Sequence, residues 1–311
     1  MKRLLGTLLR CFLNLFFNRW FEAWGAGPRK TLPHTPSLDD MMTAAAKEGR
    51  PFRLMWVGAH PDDESFVGSV LAKASIALRH PLHMVVLTHG EGGETGQGEV
   101  SRDRPLAEVR RSELEEVARL YNATVTIEGF FNASLPVSSF PYRHEIAQRW
   151  RDHRDPVEFI ASEIRTFRPD AVLTFSPHYG ATGHPEHQLC SRFTTSAVRL
   201  AADSDAPLGS PPHRVSNVYY MVSRYWFLRL AGMKKDPVAY TETFDLRQPC
   251  ISGKRCVDVM ADNTRPHVTQ NADMTAMRLI NQLFYQQYLH RVDLSGPTED
   301  PYEEHRVRGM G

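Results

Sequence analysis

RLMWVGAHPDDE, residues 53–64, joins an uninterrupted apolar run to a cluster of titratable side chains. The run Arg53–Ala59 is too short for a buried helix and closes on small residues. That pattern suits a strand covered on both faces, as parallel sheets require. Working outward, Leu82–Thr88 (LHMVVLT) and Ala171–Phe175 (AVLTF) have the same character, and Thr124–Ile127 forms a shorter strand. Helical spacing is predicted between them over Ser65–Leu78, Pro105–Tyr121, Pro156–Phe167 and Glu186–Ala202, with Pro105 where a missing N–H costs little. Val215–Val222 and Val238–Phe244 read as later strands, and Thr269–Tyr288 as a last long helix. This alternation predicts an α/β fold: a Rossmann-like, doubly wound, mostly parallel sheet with helices on both faces. In such sheets, sites form beyond the carboxyl ends of the strands.

The 311 residues carry a formal charge of +1, with 41% hydrophobic and 23% charged residues. That is ordinary globular composition, and it lacks the broad basic surface that nucleic-acid binding needs. Basic charge gathers at the start: residues 1–30 sum to +5 and the remainder to −4. Cys11, Cys190, Cys250 and Cys256 are too few and too irregularly spaced for a disulfide scaffold, and none forms a C-x-x-C pair. Reduced thiols in a cytoplasmic protein are the expectation.

Residues 1–27 stand apart. Arg3, Thr7, Arg10, Asn14 and Asn18 recur every three or four positions, so a helix would align them as one polar stripe opposite leucines and aromatics. Arg10 and Asn14 interrupt any secretory or spanning run. Three readings stay open: an amphipathic helix over residues 1–24 lying on a membrane surface, with the protein peripheral there, one packed against its own domain or a second subunit, or a cleaved or spanning segment. Residues 28–50 read as a linker broken by Pro28, Pro33 and Pro36, with Ser37 able to cap a short helix through Glu48. A single domain is expected over 51–295, then a polar tail over 296–311.

Two clusters fall at strand ends. Ala59-His60-Pro61-Asp62-Asp63-Glu64 follows the first strand, and Gly183-His184-Pro185-Glu186-His187 lies beyond the strand ending at Phe175. Each histidine alone is as well read as structural. Together the clusters offer what a catalytic divalent ion needs: imidazoles and a carboxylate as ligands, and a further carboxylate to take a proton from acidified water. The glycine-rich stretch Gly90–Gly98 lacks the G-x-x-x-x-G-K-[ST] and G-x-G-x-x-G forms of phosphate-binding loops.

AHPDDE followed by GHPEH resembles the PIG-L/LmbE-like de-N-acetylases. Thr88–Gly93 (THGEGG), Arg110–Leu114 (RRSEL) and Arg168–Thr174 (RPDAVLT) resemble further family segments, so the likeness runs from about Phe52 to Leu200. It implies His60, Asp63 and His187 as metal ligands, with Zn2+ the family default and Fe2+ also suited to two imidazoles and one carboxylate. It implies Asp62 as general base and His184 as the group that steadies the oxyanion or protonates the leaving amine, the first of these being a role an imidazolium can fill. Glu64 is expected to support the metal ligands by hydrogen bonding. Arg110 is expected to touch the sugar or its aglycone, or else to form an ion pair on the helix surface. Asn132 stands near the place where many relatives carry a sugar-binding aspartate. His267-x-x-Gln270 is only faintly like a late His-Ser-Gln segment of relatives.

The resemblance thus implies hydrolysis of the acetamide of an N-acetylglucosamine-type conjugate, giving acetate and a free amine. The conjugate would be lipid-linked if the N-terminal helix lies on a membrane. Deacetylation or amide cleavage on a soluble glucosaminyl conjugate is the second reading. A sugar-binding protein that has lost catalysis is the third, and the presence of Asp62 and His184 weighs against it.

Overall fold

Leu54–Gly58 (β1), Leu82–Thr88 (β2), Ala171–Phe175 (β4) and Asn217–Val222 (β5) are buried along their whole lengths, so their apolar runs face packed layers on both sides. With Ala123–Phe130 (β3), Glu242–Asp245 (β6) and Gln286–Arg291 (β7) they build, among the described residues, one sheet in the order β3-β2-β1-β4-β5-β7-β6. The computed structural model describes residues 29–32, 35–93, 104–224, 236–284, 286–296 and 302. The first five strands in this order pair in parallel, and β7 joins β5 and β6 antiparallel.

Alternate residues of each strand feed opposite cores. On one face Trp56, Met84, Leu173 and Tyr219 meet the helices Leu38–Lys47 (α1), Gly68–Ala72 (α2), Leu106–Leu120 (α3) and Cys256–Asn263 (α8). On the other, Val57, Val85, Val172 and Val218 meet Arg143–His153 (α4), Pro156–Phe167 (α5) and Pro185–Ala202 (α7). The doubly wound architecture expected from the sequence is therefore the one observed. After β1 the chain winds towards β3, whereas β4 and β5 add on the opposite side. A crevice opens where that order reverses, between β1 and β4.

Several boundaries differ from expectation. The predicted helix Ser65–Leu78 is broken into a 3-10 turn (Asp63–Phe66), α2 and a π turn (Lys73–Ala77). The predicted strand Val238–Phe244 is confined to Glu242–Asp245. The predicted helix Thr269–Tyr288 is Asn271–Leu283 (α9) followed by β7, because Gln286–Arg291 fills the open edge of β5. Helices α4 and α8 carried no expectation. Within the stretch read as a linker, α1 opens on a capping box between Ser37 and Asp40, a feature whose loss typically costs about 0.5–2 kcal/mol. It buries Leu38, Met42 and Ala45 completely, so this part is integral to the core. Cys190, Cys250 and Cys256 are free thiols. Cys11, the polar stripe of residues 1–27, residues 94–98 of the glycine-rich stretch and most of 296–311 lie outside the described residues. Among the described residues, no helix is long and apolar enough to cross a membrane.

Candidate active site

Both polar clusters meet in the β1/β4 crevice. Behind β1, Gly58 is forced by crowding: a Cβ there would lie 2.9 Å from Trp56 Nε1 and 3.1 Å from Asp63 Cβ. The chain then turns sharply, with Asp62 in the left-handed region at φ 106°, a strained state for a non-glycine residue and one that concentrates at functional sites. The turn sends the two neighbouring aspartates to different tasks. Asp63 Oδ2 accepts the N–H groups of Ala59 and His60, each at 2.8 Å, and its Oδ1 stands 3.0 Å from His187 Nε2. Asp62 instead lines the cavity, half-buried.

Beyond β4, the one-turn helix Gly180–Gly183 (α6) leads into α7, whose first turn carries Glu186 and His187. His187 Nδ1 pairs with Gly180 O at 2.9 Å, and Phe175 stacks beneath its ring with centroids 4.2 Å apart. His60 Nε2 pairs with Glu186 Oε2 at 2.5 Å. The outward nitrogens are thus engaged, and the inward ones face each other: His60 Nδ1 lies 3.1 Å from His187 Nε2 and 3.6 Å from Asp63 Oδ2. A zinc ion about 2.0–2.2 Å from each donor of a tetrahedral set would hold those donors roughly 3.3–3.6 Å apart. The separations among His60, His187 and Asp63, 3.0 to 3.6 Å, lie at or a few tenths of an ångström below that range, so the three donors would open slightly around such an ion. Each outer nitrogen is held as ligating histidines usually are. One ring nitrogen of His184 joins those of His60 and His187 within 4.8 Å of one another, at the edge of the same cluster.

The buried titratable groups of the site perturb one another. Burial alone would lower the pKa of His60, yet Asp63 and Glu186 raise it to about 10. Burial would raise the pKa of Asp63, yet His187 and His60 hold it well below the usual carboxylate range. Burial, then the charge of Asp63, pushes Asp62 up to about 7, against the opposing pull of Arg110, His267 and His60. A carboxylate tuned near neutrality is well matched to general-base work. His184 is held well below its usual pKa, first by burial and then by His187 and His60. Its Nδ1 accepts the Glu186 N–H at 3.3 Å, so the proton sits on Nε2. His184 thus offers its Nε2–H as a hydrogen-bond donor.

Glu64 is fully buried. It accepts the Asp62 N–H at 3.1 Å and pairs with His267 Nε2 at 2.7 Å, bracing the turn and not the side chains of the metal-ligand candidates. Sequence reading gave the His267 segment little weight, yet Glu113 of α3 anchors it by accepting Thr269 N–H and Oγ1–H at 2.8 and 2.6 Å. Gln270 and Met274 then reach the cavity wall. Arg110 also lines the cavity, buried, with its guanidinium donating to Gly90 O, so it is not an exposed helix-surface residue. Asn132 borders the cavity with both amide atoms engaged, Nδ2 donating to Glu186 and Oδ1 accepting the Gly92 N–H, each at 2.7 Å. The cavity measures about 540 Å³. Its lining is polar at His60, Asp62 and His187 and apolar at Leu135, Phe140, Met274 and Met277.

Known proteins place this arrangement. The sequence model of the GlcNAc-PI de-N-acetylases (PIG-L) matches residues 55–198. A mycothiol S-conjugate amidase of Streptomyces coelicolor is 30% identical over 158 residues, 49% of this chain and 54% of that protein. A 1D-myo-inositol 2-acetamido-2-deoxy-alpha-D-glucopyranoside deacetylase of Thermomonospora curvata is 32% identical over 171 residues, 51% of this chain and 56% of that protein. The chain thus spans little more than half the length of these curated relatives. The N,N'-diacetylchitobiose deacetylase of Pyrococcus horikoshii superposes over 85% of this chain and 96% of its own with a TM-score of 0.56, at 14% identity, and so shares the fold. Residues 55–198 of this chain therefore carry a PIG-L domain.

Proposed function

We propose that this protein is a metal-dependent hydrolase that removes the acetyl group from an N-acetylglucosamine-type sugar conjugate. The observation that carries the reading is the convergence of His60 Nδ1, His187 Nε2 and Asp63 on one point, with Asp62 beside it in an open cavity. His60, Asp63 and His187 would hold a divalent ion, with zinc the first candidate and iron(II) the second. Bound there, the ion supplies a Lewis acid for the acetyl carbonyl and lowers the pKa of water.

The chain's own residues do the rest. Asp62, unpaired with any metal-ligand candidate and tuned near neutrality, takes the proton of the attacking water. His184 donates its Nε2 proton as a hydrogen bond to the oxyanion that develops. Being neutral, it suits that role better than protonation of the leaving amine, which falls to the acid form of Asp62. Water adds its oxygen to the acyl carbon, the C–N bond breaks, and acetate and a free amine leave. Arg110 and Gln270 face the cavity as candidate sugar contacts.

The relatives' names support a sugar amide as substrate, and one of them is an amidase of a larger conjugate. The apolar lining of Leu135, Phe140, Met274 and Met277 favours an aglycone with an apolar portion. A lipid-linked conjugate is the form of this reading that agrees with an interfacial helix over residues 1–24, and a soluble glucosaminyl conjugate is the alternative. Zinc-loaded protein incubated with N-acetylglucosaminyl glycosides, some with short and some with alkyl aglycones, should release acetate and a primary amine in equal amounts. Absence of both products from every glycoside, with metal bound, overturns the reading.

A further inference from the structure

Glu186 is completely buried, and its carboxylate is held from three directions. His60 Nε2 pairs with Oε2 at 2.5 Å, Asn132 Nδ2 donates to the same oxygen at 2.7 Å, and the Ala133 N–H donates to Oε1 at 2.7 Å. The orientation of the Asn132 amide follows from its partners. A carboxylate only accepts, so the NH2 group must face Glu186, and the Gly92 N–H only donates, so the carbonyl must face Gly92. Gly92 in turn accepts the Leu135 N–H at 2.9 Å. No other residue fits at position 92, because a Cβ would stand 2.5 Å from Ala133 O and 2.9 Å from Asn132 Oδ1. One hydrogen-bonded chain therefore runs from the glycine loop through Asn132 and Glu186 to His60.

We propose that Asn132 is a positioning residue that acts on the metal centre through Glu186 and holds the glycine loop to the same carboxylate. The proposal rests on the reading of His60 as a metal ligand. The Glu186 carboxylate can keep the His60 proton on Nε2, and so leave the Nδ1 lone pair pointing inward, only while Oε2 stays in place. Asn132 is the side chain that keeps it there. An amide is required. Aspartate at this position would preserve the acceptor for Gly92 but would turn the donor towards Glu186 into a second acceptor. Two carboxylate oxygens would then meet 2.7 Å apart in a buried site, and Glu186 would have to move off His60.

Metal affinity tests this, by chelator competition with Zn2+ and by the visible absorption of the Co2+-substituted protein. Asn132→Asp should raise the metal Kd by about 10–100-fold, the usual cost of losing an outer hydrogen-bond partner, and should alter the Co2+ band. Asn132→Ala, which brings no new charge, should raise the Kd in the same direction, and it carries the test if the aspartate variant does not fold. A merely structural role would lower thermal stability but leave the Kd and the Co2+ band of the folded protein unchanged, and that result overturns the proposal. A raised KM for the glycoside with unchanged metal affinity also overturns it, by making Asn132 a sugar contact. Wild-type protein that binds no divalent ion overturns the metal reading and this proposal together. Normal wild-type binding with normal binding in both variants overturns this proposal alone.

Discussion

At the scale of single residues, the reading turns on how two adjacent aspartates are separated in role. Asp63 is held low by His187 and His60, while burial and the Asp63 charge push Asp62 up to about 7. The left-handed turn at Asp62 makes the division possible, because it directs one carboxylate inward and the other into the cavity. Asp62→Asn preserves shape and should leave the metal in place while lowering kcat by about 10²–10⁴-fold, the range expected for a general base. Steady-state kinetics with metal content measured on the same sample checks this, and near-normal turnover at full occupancy would pass the role to another group. His60 to Glu64 and His184 to His187 were legible in the sequence because each cluster is contiguous and follows an apolar run. The hydrogen-bond partners of Asn132, Gly92 and His267 were not, because they lie far away in sequence, as Glu64 does from His267 at 203 positions. Nothing local marks such a pair.

At the scale of elements, the parallel core was legible because strands buried on both faces are written as unbroken apolar runs. The antiparallel edge was not. Gln286–Arg291 pairs with β5 and β6 but is rich in glutamine and continues a helical pattern, so the free edge of β5 decides its conformation. The segment between α8 and α9 matters most for the site, since His267 there clamps the 3-10 turn that carries Asp63. Burial alone would lower the pKa of His267, but Glu64 raises it above its ordinary value of about 6.5. A histidine raised in the folded state contributes stability that is full below its unfolded pKa and is lost as pH rises through the folded value. The stability difference between wild type and His267→Gln should therefore be largest near pH 6 and shrink towards pH 9. Denaturant unfolding of both proteins across that range measures it, and a gap that widens with pH would mean that His267 is neutral in the folded protein.

At the scale of the whole molecule, the reacting groups come from one stretch of the chain, whereas the apolar lining of the cavity is drawn from two. His60, Asp62, Asp63, His184 and His187 all lie within residues 55–198, the stretch shared with the PIG-L family. Gln270, Asp273, Met274, Ala276 and Met277 also line the cavity and lie beyond that stretch, while Leu135 and Phe140 lie within it. The reacting groups sit in contiguous motifs and were readable, whereas the apolar lining residues are dispersed along the chain and left the aglycone unreadable. The central claim is that residues from the two ends of the family stretch, brought together by the β1/β4 crevice, form one metal centre. Elemental analysis of purified wild-type protein and of His187→Ala tests it most directly. The account predicts about one divalent ion per chain in the wild type and loss of most of it in the variant, because removing one of three protein ligands leaves an incomplete set. A His187→Ala protein that folds normally and keeps its full complement of metal would contradict it.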